Sequence, residues 1–169
     1  MSMKKLGNKG FSLVELMVII GIMSILTGIF TFGFSLISNK QVDQCAKKIQ
    51  MSLENARTTS MGKKYVDLHF YYSGGKIYVE KRIDMSGSTT ITEMGDGSLT
   101  VKYVLKDASG AQTSNTLQSA ELWNVCFDRA SGSLKPQTGN TYLDHFEVSN
   151  GRKTLKVKIE KLTGRVTIE

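Results

Sequence analysis

The chain is poor in the residue types that most often carry chemistry. Its 169 residues include one proline, Pro136, two histidines and two cysteines. Cys45 and Cys126 show no Cys-x-x-Cys spacing, so neither a zinc ribbon nor a thioredoxin-like site has support. Two readings stay open for them: a disulfide in an oxidising compartment, or two buried small apolar side chains. His69 follows Asp67 by two residues and His145 follows Asp144 directly. No HExxH, nucleophile elbow or paired-carboxylate spacing accompanies either, and both read as surface residues of strands. The "SMGKK" stretch is no phosphate loop, because Arg57 stands where its first glycine belongs and Lys64 where Ser or Thr should follow. "GDGS" is too short for a calcium loop. No catalytic residue, metal ligand or cofactor is expected.

Charge is also missing where most soluble domains have it. The formal net charge is +7, yet between Gly10 and Lys40 the single charged residue is Glu15. Acidic residues are absent from the first ten positions, which hold Lys4, Lys5 and Lys9. From Leu16 to Ile37 there is neither charge nor proline. As a helix that run spans about 33 Å, close to the apolar thickness of a bilayer. It is longer than the apolar core of most removable secretory signals, and "SLISNKQVDQ" beyond it offers no small-x-small cleavage site. A charged side chain inside the membrane costs several kcal/mol and asks for a partner; the other reading is that Glu15, one residue before the charge-free run, lies shallow enough to reach the headgroups. Lysines stand on both sides of the run, so their count orients it only weakly, with the amino terminus inside.

Beyond the run the pattern changes. Val42, Cys45, Ile49, Leu53, Ala56 and Ser60 recur every three or four residues, one face of an amphipathic helix that should stop near Gly62. From Lys63 the chain reads as strands. "KYVDLHFYY" and "KIYVEKRI" flank "SGG" as a hairpin, and "SLTVKYVL", "ELWNVCFD", "HFEVS", "KTLKVKIE" and "GRVTI" follow, separated by turn residues. The expected fold class is α+β. A long amino-terminal helix, membrane-spanning in its first half and amphipathic in its second, packs on a mostly antiparallel β-sheet head. The expected divisions are a basic leader over 1–10, a membrane or filament-core helix over 11–37, its amphipathic continuation over 38–62 and a β-rich head over 63–169.

"KGFSLVEL" resembles the processing site of type IV prepilins and type II secretion pseudopilins. In that family a basic leader ends in glycine and a membrane-embedded prepilin peptidase cuts after it. The same enzyme methylates the new amino terminus. The resemblance covers roughly residues 4–35. It implies cleavage between Gly10 and Phe11, N-methylation of Phe11, and an assembly role for Glu15. There Glu15 would pair with the terminal amine of a neighbouring subunit. It also implies an inner-membrane assembly platform and other pilin or pseudopilin subunits as partners. The chain would sit in the cytoplasmic membrane as a single pass, amino terminus inside, and then enter an extracytoplasmic filament. Major pilins often carry a proline about twenty residues into the mature helix. Here Gly28 and Gly33 stand in that region instead, which points to a minor pilin or pseudopilin. "SLENARTTSMGK" and "LTGRVTI" resemble the H-type minor pseudopilins and the FimT-like minor pilins.

Two other readings remain open. Arg152 to Glu169 sets six bases against Glu160 and Glu169. Arg152, Lys153 and Arg165 could contact the phosphates of DNA in a competence machine, a salt-dependent and sequence-blind mode. No aromatic ladder interleaves with these bases, so a stacking platform for single strands has little support. The remaining alternative is a membrane-tethered extracytoplasmic domain with an unrelated, enzymatic task around His69.

Overall fold

The computed structural model describes residues 11–62, 64–84 and 88–169. Lys4, Lys5, Lys9, Gly10 and Lys63 lie outside them. The chain divides into two compact units between Ile37 and Ser38.

The first unit consists of the opening stretch of helix α1, Leu13–Met61. Ser12 starts it. Its Oγ accepts the Glu15 backbone N–H at 3.2 Å, and its carbonyl accepts the Leu16 N–H. The first bond satisfies one of the donors that a helix start leaves free, and the second is the first regular bond of the helix. Apolar side chains from Leu13 to Ile29 are exposed around the helix. The hydroxyls among them turn inward: Ser24 and Thr27 donate to the carbonyls four residues back, Ile20 and Met23, at 2.8 and 2.7 Å. Among the described residues no helix is long and apolar enough to cross a membrane. The described side chains of this run end at Ile29, while the sequence continues it without charge to Ile37.

The second unit is an α+β domain. Val42, Cys45, Ala46, Ile49, Leu53, Ala56 and Ser60 are all buried, so the expected stripe is the packed face of α1. The helix ends at Met61, with the Gly62 N–H still bonded to the Thr58 carbonyl. Two antiparallel sheets complete the unit. The first has the order β3-β2-β1-β6, built from β1 Val66–Ser73, β2 Lys76–Ile83, β3 Thr89–Asp96 and β6 Leu122–Cys126. The second has the order β5-β4-β7-β8-β9, from β4 Thr100–Lys106, β5 Gln112–Thr116, β7 Tyr142–Ser149, β8 Thr154–Ile159 and β9 Val166–Ile168. A short 3-10 turn spans Thr138–Asn140.

The hairpin of β1 and β2 is the one expected across "SGG". Gly74 and Gly75 both have positive φ, and Ser73 faces Lys76 across a two-residue turn. The inner faces of the two sheets meet at Phe70 and Phe146, whose ring centroids are 4.9 Å apart. The apolar helix residues named above, Leu68 and Ile77 of the first sheet and Val148 and Val157 of the second form one buried cluster. Polar ties reinforce it. Lys48 Nζ donates to the Glu93 carbonyl at 3.0 Å, Lys81 Nζ to Asn55 Oδ1 at 2.7 Å, and Gln50 Nε2 to the Val166 carbonyl at 3.3 Å.

Two strands have no counterpart among the expected ones. β3, "TTITEMGD", and β5, "QTSNT", lie at sheet edges and are largely exposed. An edge strand that sends almost nothing into the core lacks the alternation by which strands are recognised. Met94 is the fully buried side chain of β3.

Candidate functional site

The amino-terminal segment holds the residues expected to act in processing and assembly. Phe11 is 77% exposed, one residue before the Ser12 cap. Glu15 is exposed in the first helical turn. Ser12 and Glu15 have the S-x-x-E spacing of a capping box, a signal the sequence carries openly. A carboxylate there also faces the positive end of the helix dipole. Glu15 therefore has a local structural reason for its place besides the assembly role that the resemblance implies. Gly10 lies outside the described residues.

The cysteines do not come together. Both are free and buried. Cys45 sits on the packed face of α1 against Gly95. Cys126 ends β6, where its Sγ is 3.5 Å from Asp67 Oδ1 and 3.5 Å from the Tyr65 hydroxyl. Helix–sheet packing and strand register fix these two separate places. Burial pushes the Cys45 thiol up to about 12 and the Cys126 thiol to about 11. The thiolate is the reactive form. Neither cysteine should react with a maleimide at pH 8 within an hour, while both react once the chain is unfolded in guanidinium. Labelling of either in the folded protein, read by intact mass, would contradict this packing.

The basic residues proposed for DNA are spread out. Arg152 lies in the turn before β8 and Arg165 in the turn after it, so the length of that strand, on the order of 20 Å, separates them. Lys153 Nζ is 2.6 Å from Asp43 Oδ1 on α1. It serves to tie the β7–β8 turn to the helix.

The histidines are not surface residues. His145 is buried, with Nδ1 2.7 Å from Asp144 Oδ2 and Nε2 3.5 Å from Glu147 Oε1. His69 is only 5% exposed. The cause is a bulge in β6. Leu68 pairs with Val125 and Phe70 with Leu122, which leaves an extra residue on β6, and Asn124 takes a φ of 58°. The bulge lays Trp123 over His69, with ring centroids 3.3 Å apart. Tyr71 stacks on His69 at 4.8 Å and Tyr78 on Tyr71 at 5.5 Å. His69 Nδ1 lies 3.5 Å from Glu80 Oε2 and Nε2 3.2 Å from Glu121 Oε2. Arg82 donates to Glu80 at 2.9 Å and stands 5.3 Å from the Trp123 ring. The Arg82 hydrogen bond, with help from His69, holds the Glu80 carboxyl below its ordinary range. Among the described residues no group of side chains is arranged to hold a metal ion. Sequence reasoning missed this stacked aromatic face because its central contact depends on the bulge. Tyr71 and Tyr78, paired across the hairpin, were the legible part.

No curated protein and no solved structure matches the chain. Residues 5–31 match the family model of the prokaryotic N-terminal methylation motif. The stretch that presents Phe11, the Ser12 cap and Glu15 is therefore the motif that marks type IV prepilin- and pseudopilin-type proteins, and it implies a membrane-anchored chain.

Proposed function

We propose that the protein is a minor pilin or pseudopilin, a structural filament subunit and not an enzyme. The observation that carries this reading is the methylation motif on the opening stretch of α1, whose described apolar side chains from Leu13 to Ile29 are exposed all round. Such a surface needs lipid or neighbouring helices to cover it. Prepilin peptidase would remove residues 1–10 and methylate Phe11. The segment 11–37 would first hold the chain in the cytoplasmic membrane and then line the filament core. The unit from Ser38 onward would be the head displayed outside.

The deciding experiment is the intact mass of the full-length chain made with and without an active prepilin peptidase. The expected product begins at Phe11 and carries one added methyl group, and it appears only with the active enzyme. An uncut chain in both hosts, or a cut beyond Ile37, would end the filament reading.

A further inference from the structure

His69 is a buried titratable group with a carboxylate at each ring nitrogen. Nδ1 faces Glu80 of β2, and Nε2 faces Glu121, two residues before Trp123. An ionised carboxylate accepts hydrogen bonds and cannot donate. A neutral imidazole has one N–H and one bare nitrogen, so it serves one of these carboxylates and turns a lone pair toward the other. The imidazolium has two N–H groups and serves both. It also sets a cation against the stacked Trp123 ring.

The other groups around the ring have their own engagements. Arg82 of β2 is committed to Glu80. Asp67 of β1 accepts from Cys126 Sγ at 3.5 Å, and burial pushes its carboxyl up. Burial also pushes up the Cys126 thiol and the Tyr71 hydroxyl. Tyr78 of β2 reaches the cluster through Tyr71.

Glu121 and Trp123 belong to the edge of the sheet, where β6 closes the order β3-β2-β1-β6. The pairing of β6 with β1 is interrupted between Leu122 and Val125. Nearby, Tyr103 donates to the Glu121 carbonyl at 3.3 Å and Gln137 to the Asn124 carbonyl at 2.9 Å. These bonds hold backbone. The side chains of Glu121 and Trp123 are held by the His69 ring.

We propose that His69 is a pH-operated latch. Protonated, it docks Glu121 and Trp123 on the outer face of the first sheet; without its second proton it lets them lift away and uncover the ring. The contacts favour the charged form, so docking strengthens as pH falls through the ring's titration and weakens as pH rises through it. The latch lies in the head and does not depend on the filament reading.

Trp123 is the single tryptophan of the chain, so its fluorescence reports on the latch in full-length protein held in detergent. Between about pH 5.5 and 8.5 the emission should rise about twofold and move to longer wavelength, because an adjacent imidazolium quenches indole and a lifted ring meets water. His69→Gln should show the high-pH emission throughout. His145→Gln, on the second sheet, should titrate like the parent. Glu121→Gln removes one charge and should lower the midpoint by about half a pH unit or more. That side chain is half-exposed, so this variant decides the matter even where His69→Gln fails to fold. A flat parent emission, the same rise in folded His69→Gln, loss of the rise in His145→Gln, or an unmoved midpoint in Glu121→Gln would each overturn the proposal.

Discussion

Gly164→Ala should lower the melting temperature of the full-length protein by about 10 °C, a loss of about 3 kcal/mol or more. Gly164 lies in the turn between β8 and β9 with φ 64°, a left-handed conformation that costs an alanine about 1–2 kcal/mol. Space is the larger obstacle. A β-carbon there would collide with the Gly132 carbonyl oxygen and come within 3.0 Å of Arg57 Cδ. That carbonyl is already engaged, since Arg57 Nε donates to it at 3.3 Å. The collision is with backbone, so relief requires moving the turn, the Gly132 loop or the end of α1.

Gly132 is the control. It also has a positive φ, 70°, but its added β-carbon would meet the Met61 sulfur at 2.9 Å, the movable end of a flexible side chain. Gly132→Ala should therefore cost about 1–2 kcal/mol. If both variants melt within about 2 °C of the parent, the three-way contact among the end of α1 and the two turns contributes nothing to stability.

Glu15→Gln should be processed at Gly10 like the parent and yet be depleted from assembled filaments at least a hundredfold. The expectation follows from the cost of an uncompensated charge. Leaving one member of a buried ion pair alone costs about 3–5 kcal/mol, and in the assembled state that member would be the Phe11 amine of a neighbour. Glutamine is the informative replacement. It still serves the third position of a capping box, so the helix start at Ser12 stays intact while the charge is gone. Ser12→Ala does the reverse, loosening the start by about 1 kcal/mol and keeping the carboxylate. If Glu15→Gln enters filaments as well as the parent and Ser12→Ala does not, Glu15 acts only through the helix cap.

The helix was legible because its signals are local. A charge-free run, a stripe at spacings of three and four and a glycine at the end each depend on residues within a few turns. The same holds for the Gly74-Gly75 hairpin. The methylation motif is a linear pattern, so it is read from consecutive residues without the head. Edge strands β3 and β5 escaped notice because strand formation there depends on backbone pairing with neighbours and hardly on burial of their own side chains.

The sequence by itself determined the α+β class, the apolar amino-terminal helix, its packed continuation and the position of the methylation motif. Tertiary structure alone decided what the polar residues of the head do. A bulge in β6 buries His69 under Trp123, and a turn aims Lys153 at Asp43. Strand length parts Arg152 from Arg165, and packing keeps Cys45 and Cys126 apart as free thiols. These outcomes rest on contacts between residues far apart in the chain. Register and packing set such contacts, and no local pattern encodes them.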